Sequence, residues 1–316
     1  MADVARAAGV SQQTVSRVAN GLSNVNEQTR QRVQTAMQEL GFRPSYAGRS
    51  LRDGRYHSVG LCVNDVTKFG NLTMIDGIAS AARERGCAIT LVEMSKTEEF
   101  SLAEATRRMA ALPVDGIIIG MSRLAPDFET FEPLPGIGTV IVTMYAHPRV
   151  TTVDSDHYGC SLLLMDHLFE LGHEQIRFIG GPSFSVDEQF RRTGWRDSLE
   201  RRHIKMAEPL EGDWSANSGY EAGRYLAERD RTMTAIYAAN DQMANGAIAA
   251  LRDSGLRVPD DFVAHNELTT VRFDLHQRGR EVFEHAVPEA GTAGKTVAIR
   301  IPGQLIIRHS TAAPRA

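Results

Sequence analysis

The stretch Asp3-Val4-Ala5-Arg6-Ala7-Ala8-Gly9-Val10-Ser11-Gln12-Gln13-Thr14-Val15-Ser16-Arg17-Val18-Ala19-Asn20-Gly21 decides how this chain is read. Val4, Ala5 and Ala8 fall on one face of a short helix that Gly9 ends, because glycine takes the left-handed conformation common just past a helix. Ser11 can accept from the free amides of a second helix, Gln12 to Asn20. Val15 and Val18 face inward there, and Gly21 supplies the next stop. Two short helices joined by a Gly-Val-Ser turn make a helix-turn-helix. A third helix is expected from Asn26 to Leu40, where Val33, Ala36, Met37 and Leu40 recur at helical spacing before Gly41.

The second helix of such a motif enters the DNA major groove by its N-terminal residues. Here those are Gln12, Gln13, Ser16 and Arg17. Glutamine can bond adenine bidentately, and arginine can grip the O6 and N7 of guanine. Ser11, Thr14 and Asn20 suit contacts to phosphate. The helical pattern alone leaves a merely solvated polar face equally open. Charge adds to the argument. Residues 1–52 hold seven arginines against three carboxylates, a surplus of +4 in a chain of net −4, so the remainder carries −8. A basic block on an acidic body is the asymmetry of a small module that meets phosphate.

The same nineteen residues resemble the head of the LacI/GalR family, whose motif runs DVA-x-x-AGVS-x-x-TVSRV-x-N. Val25, Thr29-Arg30, Val33, Leu40-Gly41-Phe42 and Pro44 continue the likeness. Helix 1 starts closer to the first residue than is usual in the family, so it is expected to lack a cap. Pro44-Ser45-Tyr46-Ala47-Gly48-Arg49-Ser50-Leu51 resembles the family's hinge helix. The resemblance implies that Tyr46, Ala47, Arg49 and Leu51 meet the minor groove, with Leu51 wedged between base steps, a general device for bending DNA. Gly48 stands where the family often has alanine and costs a helix about 1 kcal/mol. A plain linker is the competing reading.

Beyond residue 52 the pattern alternates strand and helix. Strands are expected at 57–63, 88–94, 114–119, 139–144, 175–179 and 234–238. Helices are expected at 71–85, 99–112, 160–171, 188–202, 217–228 and 241–254. The runs Val114-Asp115-Gly116-Ile117-Ile118-Ile119 and Thr139 to Met144 are nearly continuous in apolar residues, as in a parallel sheet buried on both faces. Repeated βα units in two sets imply a two-lobed, doubly wound α/β body with a ligand cleft between the lobes. The expected organisation is a helix-turn-helix domain (1–43), a hinge (44–52) and an effector-binding domain (53–316). Its first lobe spans about 57–155 and 271–287, its second about 156–270 and 288–316.

Family landmarks recur through this body: Val114-Asp115-Gly116-Ile117-Ile118, His167-Leu168-Phe169-Glu170-Leu171-Gly172-His173, Arg191-Arg192-Thr193-Gly194-Trp195, Ala239-Asn240-Asp241 and Leu268-Thr269-Thr270. The resemblance implies a periplasmic-binding-protein-like fold with a sugar effector held by Arg191, Trp214 and Asn240, with Asp156, Phe69 and Phe273 as further candidates. The chemistry suits a sugar, whose hydroxyls need a charged fork and an amide and whose C–H face stacks on indole. Gly212-Asp213-Trp214-Ser215 points towards a galactoside-like or glucoside-like effector. Core packing is the alternative for Trp214, and a helix cap for Asp156. After Val258-Pro259-Asp260-Asp261 only six residues precede Leu268, about a dozen fewer than in the family. At about 3.3 Å per residue, six residues cannot form both a strand and its return. One lobe's sheet should be short by a strand, and the effector-binding aspartate that the resemblance places on that strand is absent, so a regulator that has lost its effector response is an open alternative.

Composition excludes several other classes. The 42% hydrophobic content supports an ordinary globular core. No apolar run of about 18 residues exists to span a membrane, and the N-terminus carries no secretory pattern, so the cytoplasm is expected. Cys62, Cys87 and Cys160 are too widely spaced for a metal cluster and read as buried thiols. No cofactor or metal is expected. Pro135-Gly136-Ile137-Gly138 begins like a dinucleotide loop, but Ile141 stands where a third glycine should be, and the run precedes a strand instead of following one. His173-Glu174-Gln175-Ile176-Arg177 is not a metalloprotease motif. An enzyme is therefore not expected. A sugar transport receptor would share the body but not the head. The expected partners are a pseudo-palindromic double-stranded operator, a sugar and a second copy of the chain.

Overall fold

The computed structural model describes residues 1–42, 50, 54–64, 66, 69–94, 101–230, 232–258, 268–288 and 295–314, with only the backbone of residues 69 and 70. The chain divides into two compact units, Met1–Tyr56 and His57–Ala316.

The first unit holds α1 (Ala2–Ala8), α2 (Gln12–Ala19) and α3 (Glu27–Glu39). Gly9 takes φ 62°, and the N-cap position of α1, Met1, makes no side-chain cap bond. The Ser11 hydroxyl accepts from the Thr14 amide at 3.1 Å, and the Asn26 side chain accepts from the Thr29 amide at 2.8 Å. Each cap satisfies an amide that the helix itself cannot. Val4, Ala5, Ala8, Val15, Val18, Val33 and Ala36 form the core, with Val10, Val25, Met37 and Phe42 around it. Leu40 departs from the expected stripe. It caps α3 and is 50% exposed.

The second unit begins with β1 (Ser58–Val63), α4 (Phe69–Glu84), β2 (Ala88–Glu93), α5 (Leu102–Ala110), β3 (Gly116–Gly120), β4 (Gly138–Val142) and β5 (Thr151–Ser155). It continues with α6 (His157–Glu170), β6 (Ile176–Gly180), α7 (Val186–Arg201), β7 (Leu210–Glu211), α8 (Ala216–Arg229), β8 (Ala235–Ala238) and α9 (Asp241–Asp253). The last elements are β9 (Thr270–Arg272), α10 (Leu275–Ala286), β10 (Ala298–Ile301) and β11 (Gln304–Ile306). Strands of the first lobe pair in the order β10-β5-β4-β3-β1-β2, all parallel. Met74, Ile78, Val282 and Phe283 from α4 and α10 share one core cluster, and Leu102, Ala105 and Met109 from α5 belong to another. The α4–α10 contact is tight. A Cβ on Gly77 would lie 2.7 Å from the His276 carbonyl oxygen.

Residues 298–301 correct the expected lobe boundary, which placed 288–316 in the second lobe. β10 runs parallel to β5, with Ala298 opposite Thr152 and Ile301 opposite Ser155. Ile301 is buried with Val153 and Phe283 of the first-lobe core, and that burial draws the strand there. β11 then pairs antiparallel with β9, and both pack on α6.

Among the described residues the second lobe's sheet has three parallel strands, β7-β6-β8. Trp195 stacks on Phe178 with ring centroids 5.2 Å apart. Met165, Leu168, Leu199, Leu226, Met243 and Ala247 complete that core. The shortened segment read in the sequence, 262–267, lies outside the described residues.

Candidate functional site

The polar face of α2 lies opposite its buried side. Gln12 and Gln13 are exposed, Ser16 and Arg17 half-buried, and Val15 and Val18 buried. Among the described residues no carboxylate lies within ion-pair distance of Arg17, so its guanidinium is available. The three residues expected at phosphate also serve the fold. Ser11 and Thr14 share a hydroxyl contact of 3.0 Å, and Asn20 donates to the Ser16 carbonyl at 2.5 Å. Tyr46, Ala47, Arg49 and Leu51 lie outside the described residues.

In the second unit the lobes meet along a seam. The Val186 amide donates to the Ser122 carbonyl at 3.0 Å. Arg123 forms an antiparallel bridge with Ser185, and its guanidinium sits 4.0 Å from the Phe184 ring centroid. The Tyr145 hydroxyl donates to Gln189 at 3.0 Å. A hollow of about 430 Å³ beside this seam is lined by Tyr145, Asp156, Phe190 and Arg300.

Two of the expected effector residues, Trp214 and Phe273, flank Arg191. Its guanidinium lies 5.3 Å from the Trp214 ring and 5.9 Å from the Phe273 ring, within reach of cation–π attraction. Trp214 has φ 75°, a left-handed conformation that is strained for a bulky residue. Its indole covers Gly181, where a Cβ would come within 2.3 Å of the ring. Trp214 thus packs on the core with one part and meets Arg191 with another. Asn240 donates to the Trp214 carbonyl at 2.9 Å and accepts from the Met243 amide at 2.8 Å as the cap of α9. Asp156 caps α6 by accepting from the Gly159 amide at 2.8 Å. No contact ties it to Arg191 among the described residues. The Phe69 side chain lies outside them.

The sequence reading missed a charged cluster that meets Arg191 through His157 and includes Asp154, Asp187 and Arg278. His157, at the start of α6, is 2% exposed. Its Nδ1 lies 3.1 Å from Arg191 Nη2, and its Nε2 lies 3.4 Å from Asp187 and 3.7 Å from Asp154. An Nδ1 that accepts from Arg191 leaves the proton on Nε2, facing the two carboxylates. Burial alone would lower the His157 pKa, but the negative charge of Asp187, with that of Asp154 beside it, raises it above its ordinary value. Burial would raise Asp187, but His157, Arg191 and Arg278 hold it well below the usual carboxylate range. Asp154 accepts from Arg278 at 2.9 Å and from the Ser155 amide at 2.8 Å. Asp154, His157 and Asp187 have the spacing of a cation site. The Arg191 and Arg278 guanidiniums oppose a metal there, because they already occupy the donor set with positive charge.

An α2 face free for bases, joined in one chain to a two-lobed α/β body with a cleft, defines a DNA-binding regulator with a ligand-binding-protein body. Comparison with known proteins agrees. Residues 1–45 match the model described as "Bacterial regulatory proteins, lacI family", and residues 165–311 match "Periplasmic binding protein-like domain". The chain is 30% identical to the lactose operon repressor of Escherichia coli (strain K12), over 99% of this chain and 90% of that one. It is 29% identical to catabolite control protein A of Priestia megaterium, over 82% and 79%. A crystal structure of the lac repressor dimer bound to operator and an anti-inducer superposes with a TM-score of 0.83 at 28% identity, covering 98% of each chain. A transcriptional regulator CelR–cellobiose complex gives 0.68, also at 28% and 98% of each chain. This chain belongs to the lacI family of bacterial regulatory proteins and is a DNA-binding transcriptional regulator. These relatives are transcriptional regulators as well. Among the described residues no helix is long and apolar enough to cross a membrane.

Proposed function

We propose that the chain acts in the cytoplasm as a homodimeric repressor, without turnover chemistry, whose operator affinity is set by a sugar bound between the lobes. Gln12, Gln13, Ser16 and Arg17 read base edges. Ser11, Thr14 and Asn20 sit on the backbone, and Tyr46, Ala47, Arg49 and Leu51 enter the minor groove. A two-fold dimer requires a pseudo-palindromic operator. Leu72 on α4 and Leu91 on the edge strand β2 are 52% and 46% exposed, apolar surface that a second copy would cover.

Arg191, Trp214, Asn240 and Phe273 form the effector site. The observation that carries this reading is Arg191 itself. It is a guanidinium set beside two aromatic rings, with no carboxylate at ion-pair distance among the described residues. Such a group is prepared to bond a ligand, and the indole beside it offers a stacking face. The second lobe's sheet, three-stranded among the described residues, favours one competing reading, a regulator that binds DNA without responding to sugar.

Fluorescence anisotropy on a labelled pseudo-palindromic operator selected from random DNA tests both. Binding should weaken steeply with salt and lose about 10- to 100-fold in Arg17→Ala. Methyl β-galactoside, methyl β-glucoside or cellobiose should change the affinity. Tight binding that none of them alters supports the competing reading. The absence of any specific binding overturns the repressor.

A further inference from the structure

The proposed effector residues are rich in donors and poor in acceptors. Arginine and the indole nitrogen donate only. The Asn240 side-chain oxygen already accepts from the Met243 amide, which leaves it one lone pair. Sugar hydroxyls also donate, so a polyhydroxy ligand needs more acceptors than this set provides.

Glu188, Asp154, Asp156 and Asp187 lie near the cleft, and the first three accept from protein donors. Glu188 is fully buried, with one oxygen on the Gly181 amide at 3.0 Å and the other on Arg192 at 2.6 Å. Asp154 is 3% exposed and held by Arg278 and Ser155. Asp156 caps α6. Asp187 differs. It sits one turn before Arg191 on α7, so the two share a helix face. Its side chain is 39% exposed, and among the described residues its contact is with His157 through Oδ1.

Resting on the effector reading above, we propose that Asp187 is the hydroxyl-accepting carboxylate of the site, paired with Arg191 so that one turn of α7 offers both an acceptor and a donor to a neutral diol. His157 touches both partners and fixes them side by side. The neighbouring cations keep Asp187 ionised at neutral pH. A second carboxylate brought by the ligand would meet like charge, so the site selects neutral sugars over sugar acids.

Calorimetric titration of the full-length protein tests this with methyl β-galactoside, methyl β-glucoside, cellobiose, glucuronate and galacturonate. Wild type should bind a neutral member and discriminate against the uronates. Asp187→Asn should weaken the neutral sugar about 10- to 100-fold, the range for losing a charged hydrogen-bond partner, and narrow the discrimination. Asp187→Ser serves as a second variant with a smaller side chain. A neutral sugar bound equally well by wild type and either variant overturns the assignment to Asp187 and leaves the effector reading intact. Uronates bound by wild type as tightly as neutral sugars overturn it without recourse to a variant. A wild type that takes no member of the panel overturns both.

Discussion

The first lobe closes its core on six parallel strands, the second on three among the described residues. In the first, β3 and β4 are buried along almost their whole length, and helices cover both faces. In the second, β6 is buried throughout, while β8 is mostly half-buried. The thinner sheet leans on helix–helix packing. α8 and α9 approach so closely that a Cβ on Gly223 would lie 2.7 Å from the Ala247 Cα. The difference locates the second lobe's stability in a few large side chains and the first lobe's in a continuous ladder. It also bears on function, since α7, which carries Arg191 and Asp187, belongs to the thinner lobe.

The largest effect is expected from Trp195→Ala. Removing a fully buried indole should cost about 3–5 kcal/mol, and hydrogen exchange should open β6 and β8 while β3 and β4 stay protected. Equal loss in both sheets would show that the lobes do not differ. Next is the seam of the first lobe. Arg278→Met strands the buried Asp154 carboxylate and should cost about 3 kcal/mol, because an unpaired buried charge is expensive. Adding Asp154→Asn should restore much of that in a double-mutant denaturation cycle.

A smaller effect concerns Tyr237 of the second lobe, whose hydroxyl lies 2.6 Å from Ser161 Oγ. Tyr237→Phe should cost about 1 kcal/mol. Burial pushes this phenol from 10 up to about 12. Its contribution is therefore present below pH 10 and lost as pH rises towards 12, a loss that Tyr237→Phe should abolish in pH-dependent melts. Last is His157, whose pKa is raised. Its ionic contacts stabilise fully below its ordinary value of 6.5 and are lost as pH rises through the raised value. Asp187→Asn removes the largest raising influence, so the His157 ring titration followed by NMR should move down in pH. No movement would separate His157 from the α7 carboxylate.

The head was legible because its determinants are local. Gly9, Ser11 and Asn26 each act within three or four residues, and the sequence places them where the caps form. The alternating body was legible for the same reason, with most elements displaced by only one to three residues. α10 was not anticipated. Its inward positions include Arg278 and Gly279 beside Val282, Phe283 and Ala286, so the apolar stripe is broken by the ion pair it serves. β5 was missed because Thr151-Thr152-Val153-Asp154-Ser155 buries polar side chains. In the cleft, Arg191, Trp214 and Asn240 came from resemblance, and the structure brings them together with Phe273. The group around His157 gave no sequence signal, since Asp154 and Arg278 stand 124 positions apart.

If the proposed ligand site in the body sets operator affinity, operator must set sugar affinity by the same factor. Operator affinity would be measured with and without the saturating sugar, and sugar affinity with and without saturating operator. Coupling requires the same factor in both directions, typically about 5- to 150-fold. Sugar affinity that operator leaves unchanged, with operator affinity that sugar leaves unchanged, would contradict the account.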